Sequence, residues 1–286
     1  MTAPWWLRIL AKLVLSRVPI GYRTFARLGM FRHGRMHKPE YATGIFTRHF
    51  SRAHERVGPP PRDFVALEFG VGDSIASAIL ARASGAGRCY LIDAGRYAVE
   101  DAQPYRDLVD ALRDDGANVA EIPRTATFAE ILERYGGVYL TEGLQSLRQI
   151  PDGSVDFVWS NAVLEHVRRG DFAAVQRELR RVIKPTGILS HRVDLKDHLG
   201  GALNNRRLSS ALWERDWFAH SGFYTNRLTF EEMRATFDAA GFATEVVRVD
   251  RWEELPTPRS RMAREFHDLD AEALCVSGFD VLLRPR

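Results

Sequence analysis

The chain has 286 residues, 45% of them apolar and 27% charged, with a formal net charge of +3. No apolar run reaches the roughly 20 residues that cross a bilayer, which excludes a helical membrane protein. Two cysteines, Cys89 and Cys275, are too few and too far apart for a disulfide scaffold or a zinc site, and their apolar surroundings read as buried thiols in a reducing, cytoplasmic setting. The charge is uneven: twelve Lys/Arg against Glu40 and Glu55 up to Arg62 give that segment +10 and leave −7 for the remainder. Such a segment faces phosphate, an anionic surface or an acidic acceptor, or pairs with the acidic body of its own chain.

Residues 4–20 open the chain with Arg8, Lys12 and Arg17 at near-helical spacing and Trp and Leu between them. The interrupting charges and the lack of a small-residue cleavage site argue against a secretory signal. Two readings stay open: a basic amphipathic helix in peripheral contact with the inner membrane surface, or a helix docked on the body or on a partner subunit. Gly58-Pro59-Pro60-Pro61 is a stiff linker. It divides a basic helical extension, 1–62, from one domain, 63–286. Strands are predicted at 64–69, 88–93, 137–141, 155–160, 187–193, 242–249 and 279–283. Helices are predicted at 74–84, 104–114, 126–134 and 171–183. This alternation predicts an α/β, doubly wound, mostly parallel seven-stranded sheet of Rossmann-like type. The last two strands, separated by a short helix-like piece at 269–276, suit a closing antiparallel pair. Residues 199–240, with helix-like stretches at 209–218 and 229–240, form a predicted cap.

The first strand ends Leu67-Glu68-Phe69-Gly70-Val71-Gly72-Asp73-Ser74. The glycines let the backbone approach a ligand, and the following helix adds N–H donors. Ile75 stands where a dinucleotide fingerprint places its third glycine, and Glu68 would repel a pyrophosphate but attract an ammonium or sulfonium. Asp93 ends Cys89-Tyr90-Leu91-Ile92-Asp93 about 20 residues after the glycine turn, where a carboxylate reaches ribose hydroxyls. A turn and strand follow at Ile150-Pro151-Asp152-Gly153-Ser154-Val155-Asp156-Phe157-Val158-Trp159-Ser160-Asn161, running into Ala162-Val163-Leu164-Glu165-His166-Val167. Further on stands Leu179-Arg180-Arg181-Val182-Ile183-Lys184-Pro185-Thr186-Gly187-Ile188-Leu189.

Over about 64–193 these runs resemble the class I S-adenosylmethionine (SAM) methyltransferases, in the branch that includes quinone-biosynthesis methyltransferases, with Ser74 in place of the usual third glycine. The later runs HRVDLKDHL, LNNRRLS and SGFYTNRL resemble bacterial methyltransferases of polysaccharide and sugar-modifying clusters. The resemblance implies SAM as cofactor. It implies that Glu68, Gly70 and Gly72 hold the methionine end, that Asp93 holds the ribose, and that Asn161 lies beside the ligand. Gly143 is followed by Leu144 where the family often has Asp, so Leu144 is expected to stack under adenine, with the backbone or Gln145 meeting its amino group.

A sulfonium is already a strong electrophile. What remains is to align an acceptor, exclude water and remove a proton. His191 and His166 are the candidate bases, with Asp194 and His198 beside them. Asp194, Asp197 and His198 also form an O, O, N set of a kind that takes a divalent metal, although a solvated turn uses the same residues. Trp213, Trp217, Phe218, His220, Phe223, Tyr224, Asn226 and Arg227 in the cap suit a sugar ring or an ordinary aromatic core. The leading expectation is O-methyl transfer to a saccharide, glycolipid or small-metabolite hydroxyl. A quinone or lipid C- or O-methyltransferase, an NAD(P)-dependent oxidoreductase and a non-catalytic SAM-binding module are the alternatives. Nucleic acid is not an expected partner, because Ser160-Asn161-Ala162-Val163 stands where base-amine methyltransferases carry an Asn/Asp-Pro-Pro-Tyr motif. Homo-oligomerisation is left open.

Overall fold

The computed structural model describes residues 35–220 and 222–286, together with Trp6, Leu7 and Ile9. The helix expected over 4–20 otherwise lies outside the described residues. The apolar runs form one seven-stranded sheet in the order β3-β2-β1-β4-β5-β7-β6. The strands are β1 (Phe64–Phe69), β2 (Ala86–Ile92), β3 (Gly137–Leu140), β4 (Val155–Asn161), β5 (Ile183–Asp194), β6 (Phe242–Arg251) and β7 (Val276–Pro285). β7 runs antiparallel to both β5 and β6, whereas the remaining pairs are parallel. This is the Rossmann-like methyltransferase sheet expected from the sequence.

Side chains alternate across each strand, so the sheet has two apolar faces. Phe64, Ala66, Cys89, Leu91, Phe157 and Trp159 face one way, under helices Pro39–Val57, Ala76–Ala83 and Gln103–Asp114. Leu67, Val158, Leu189, Val193 and Val281 face the other, under helices Phe172–Val182 and Phe230–Ala239. The strand order reverses direction between β1 and β4, and the crevice beyond their carboxyl ends is where such sheets bind ligands.

Across the 62/63 boundary, Ala42, Ile45, Phe46 and Ala53 of helix Pro39–Val57 pack in the same core as β1 and β4. Part of the basic segment also pairs with the body of the chain, Arg52 with Asp280 at 2.9 Å and, at the surface, Arg56 with Glu245 at 2.9 Å. The predicted helix 209–218 is instead two short helices, Ser210–Trp213 and Asp216–Ala219. Arg168 separates them by donating to the Glu214 carbonyl at 2.8 Å and to the Asp216 carboxylate at 2.7 Å.

Candidate active site

Glu68 is the penultimate residue of β1, flanked by Leu91 of β2 and Trp159 of β4. Its side chain is buried on the face that holds Ser77 and Trp159. Burial raises its carboxyl to about 8; nearby Ser77 and Trp159 hold it down and the charge of Asp93 adds to the rise. Oε2 of Glu68, Oγ of Ser77 and Nε1 of Trp159 are buried together, with the hydroxyl and the indole N–H facing the carboxyl. Gly70 and Gly72 follow at φ +89° and +66°, a region that disfavours residues with a Cβ. Gly70 is also held to glycine by packing: a Cβ there would lie 2.2 Å from Val163, which follows β4.

Asp93 sits half-buried just past β2. Its Oδ2 accepts from the Gly72 amide at 2.8 Å and its Oδ1 from the Ala94 amide at 2.7 Å. Burial raises its pKa, and these amide bonds hold it back. The Gly143 amide donates to the Asp93 carbonyl at 2.8 Å, which places Leu144, the first residue of the next helix, beside the end of β2. The sequence thus brings two carboxyls, a glycine turn and an apolar residue to one edge of the sheet. A buried carboxyl next to a glycine turn, with a second carboxylate at the end of the neighbouring strand, fits a ligand with a cationic end and ribose hydroxyls.

Asn161 ends β4, and Ala162 then takes φ +56°, a strained conformation for a non-glycine residue that no sequence signal announced. The next turn, Leu164–His166, follows two residues later. The cap clamps this turn. Asn226 Nδ2 donates to the Leu164 and Val167 carbonyls at 2.8 and 3.0 Å, and the Asn226 amide donates to the Glu165 carbonyl at 2.7 Å. His166 Nδ1 donates to the Tyr224 carbonyl at 2.8 Å, which leaves the lone pair of a neutral ring on Nε2. His198 Nε2 lies 3.0 Å from that atom. Glu165 is buried, its carboxyl raised to about 8 chiefly by burial, with Oε2 unpartnered.

His191 is placed elsewhere. It is fully buried on the opposite face of the sheet, where Nδ1 meets Ser160 Oγ at 2.7 Å and its ring lies against Phe237. Burial lowers its pKa to about 3. The sequence pointed to it because it follows the apolar core of β5, but strand alternation turns it inward, where it is 0% exposed. Asp194, Asp197 and His198 do not converge either. The Asp197 carboxylate accepts the amides of Leu199, Gly200, Ala202 and Asn204, and Asp194 lies 3.6 Å from Lys196. Among the described residues no group of three His, Cys, Asp or Glu side chains is arranged to hold a metal. Of the cap aromatics, Trp213, Phe218, Phe223 and Tyr224 are buried against one another, Leu199 and Ile9, whereas Trp217 is 41% exposed.

Sequence reasoning missed His49, which helix Pro39–Val57 buries with Nδ1 2.8 Å from Ser190 Oγ and Nε2 3.5 Å from Asn161 Oδ1. Its place was legible in the spacing of Ala42, Ile45, Phe46, His49 and Ala53, which marks one helix face.

Residues 67–190 match the methyltransferase domain family. Together with the sheet order, this means that the chain carries a class I, SAM-dependent methyltransferase domain. Among solved structures, it is similar to a SAM-dependent methyltransferase from Methanosarcina mazei (17% identity, 79% of this chain and 94% of that one, TM-score 0.45). It is also similar to the geranyl diphosphate C-methyltransferase of Streptomyces coelicolor, solved with Mg²⁺, geranyl diphosphate and S-adenosylhomocysteine (14%, 85% and 77%, 0.44). A third is a Haemonchus contortus N-methyltransferase bound to phosphomonomethylethanolamine and S-adenosylhomocysteine (14%, 82% and 52%, 0.41). No curated protein matches the chain. Among the described residues no helix is long and apolar enough to cross a membrane.

Proposed function

We propose that the chain transfers the methyl group of SAM to a hydroxyl of a saccharide, glycolipid or small metabolite. The observation that carries this reading is the hydrogen-bonded pair His166–His198 at the end of β4, one sheet edge shared with Glu68 and Asp93. A hydroxyl must lose its proton as it is methylated, and a neutral imidazole has the right basicity to take it.

When bound, SAM supplies an electrophilic methyl group on a sulfonium. Glu68 meets its cationic amino-acid end, while Gly70 and Gly72 allow the backbone to approach. Asp93 would hold the ribose hydroxyls, and Leu144 would pack against the adenine. Asn161 and the turn after it would separate cofactor from acceptor. His166, with Nδ1 fixed on the Tyr224 carbonyl, receives the acceptor's proton at Nε2 directly or through His198.

Incubation with methyl-labelled SAM and extracts fractionated into glycans, lipids and small metabolites tests the acceptor class; label that enters only protein or nucleic acid counts against it. Asp93→Ala is expected to weaken SAM binding about 100-fold, read by calorimetry, as loss of charge-assisted bonds to both ribose hydroxyls demands. An unchanged Kd would remove Asp93 from the site. His166→Ala is expected to lower kcat by a factor of about 10²–10⁴ and leave the SAM Kd unchanged. An unaltered kcat would rule out the histidine pair as the base.

A further inference from the structure

Two runs that the cofactor site does not use, LNNRRLS and SGFYTNRL, meet inside the cap. Arg206 of the first and Arg227 of the second are each 5% exposed. Both guanidinium carbons lie 5.0 Å from the ring of Phe266, and Arg227 also lies 5.2 Å from that of Trp213. Arg227 is largely satisfied: it donates to the carbonyls of Asn205 and Leu208 and to Ser210 Oγ, and only Nε is left over. Arg206 is not. It makes one bond, from Nη2 to the Arg227 carbonyl at 2.9 Å, while Nε and Nη1 are buried without a partner.

Among the described residues no carboxylate is within ion-pair distance of either guanidinium. Of the three nearby acids, Glu232 takes Arg169 and the Thr229 amide, Glu265 takes Ser210, and Glu214 accepts the Tyr224 hydroxyl on Oε2 while its Oε1 is buried without a partner. Burial and the mutual repulsion of the pair lower the Arg206 pKa to about 10, so it remains charged at neutral pH. A buried cation with unmet donors costs several kcal/mol unless an anion accompanies it. Glu232 acts on Arg206, and Glu214 and Glu265 on Arg227, only through space, and none of them bonds the free Nε and Nη1 of Arg206. Arginine is the side chain best suited to take a carboxylate or phosphate from outside.

We propose that Arg206, supported by Arg227, is an oxyanion-binding site in the cap, taking a carboxylate or phosphate group carried by the acceptor. Phe266, on the short turn Arg264–Phe266, roofs it and moves aside on entry. The site adjoins the acceptor side of the crevice, because Arg227 directly follows Asn226, which clamps the turn bearing His166. Its role in acceptor choice rests on the methyl-transfer reading; its affinity for an anion does not.

The test is thermal unfolding of the full chain with inorganic phosphate, glucuronate or glucose, against chloride at matched ionic strength, with SAM affinity measured in parallel. Phosphate or glucuronate at ten times its Kd is expected to raise the wild-type Tm by about 2–3 °C, with no rise for glucose. The phosphate and glucuronate arms distinguish a phosphorylated from a uronate-like acceptor. Arg206→Gln is expected to abolish the rise and Arg206→Lys, which keeps the charge, to retain part of it, both with unchanged SAM affinity. No rise in the wild type, or an equal rise in Arg206→Gln, overturns the site. Failure of the wild type to bind SAM would instead overturn the methyltransferase reading of the crevice and leave the anion result standing.

Discussion

SAM binding is expected to tighten about tenfold per pH unit between pH 6 and 8, to level off near pH 8, and to release about one proton per SAM bound. The effect originates at Glu68. Burial holds its carboxyl near 8 in the free protein, so at neutral pH it is mostly protonated. A cationic ligand beside it stabilises only the ionised form. Below the free-state pKa, binding must therefore expel the proton, and the observed affinity falls as pH falls. Calorimetry in two buffers of different ionisation enthalpy counts that proton. Glu68→Gln cannot ionise, so its affinity is expected to be about 10–100-fold weaker at pH 8 and flat with pH, the loss matching one charge-assisted hydrogen bond. If wild-type binding releases no proton and Glu68→Gln binds as tightly, Glu68 is a core residue that never meets the ligand.

The second large effect is on stability. His49 and His191 are buried on opposite faces of the sheet, at pKa values lowered to about 4 and 3, each mainly by burial. An unfolded chain titrates its histidines near pH 6.5 and the folded one only far below. In this window the unfolded state binds more protons. The stability these neutral rings contribute is therefore complete above pH 6.5 and declines as pH falls toward the folded values. Between pH 7 and pH 5 each histidine is expected to cost about 2 kcal/mol, a steep acid sensitivity for one domain. Denaturant unfolding at the two pH values measures it. His191→Gln keeps a polar group for Ser160 but cannot protonate, so it is expected to lose about half of the pH-dependent drop and to keep its kcat. A variant that loses kcat while the drop persists would return His191 to the catalytic role its sequence position suggested.

The carboxyl-bearing strand ends are legible in the amino-acid order because they are local. Glu68, Gly70, Gly72 and Asp93 each stand at the end of a run whose apolar pattern marks a strand, and one strand-turn-helix unit sets the distance between them. The histidines are not legible in the same way. His191 and His166 both follow apolar strands, yet the alternation of β5 drives one into the core, while the other lies in the turn that follows the strained Ala162. The aromatic cap stays undecided for a related reason: a run of Trp, Phe and Tyr does not say whether the rings face outward or one another.

By itself, then, the amino-acid order determined the strand sequence, the closing antiparallel strand, the glycine turn and the two acids beside it, because periodicity and turn chemistry act over a few residues. Only the tertiary structure decided which distant side chains meet. His166 finds Tyr224 and His198, His49 finds Ser190, and Arg206 finds Arg227 through contacts set by helix packing and loop closure. Those contacts are selected by burial of the whole core, a quantity that no short stretch of the chain contains.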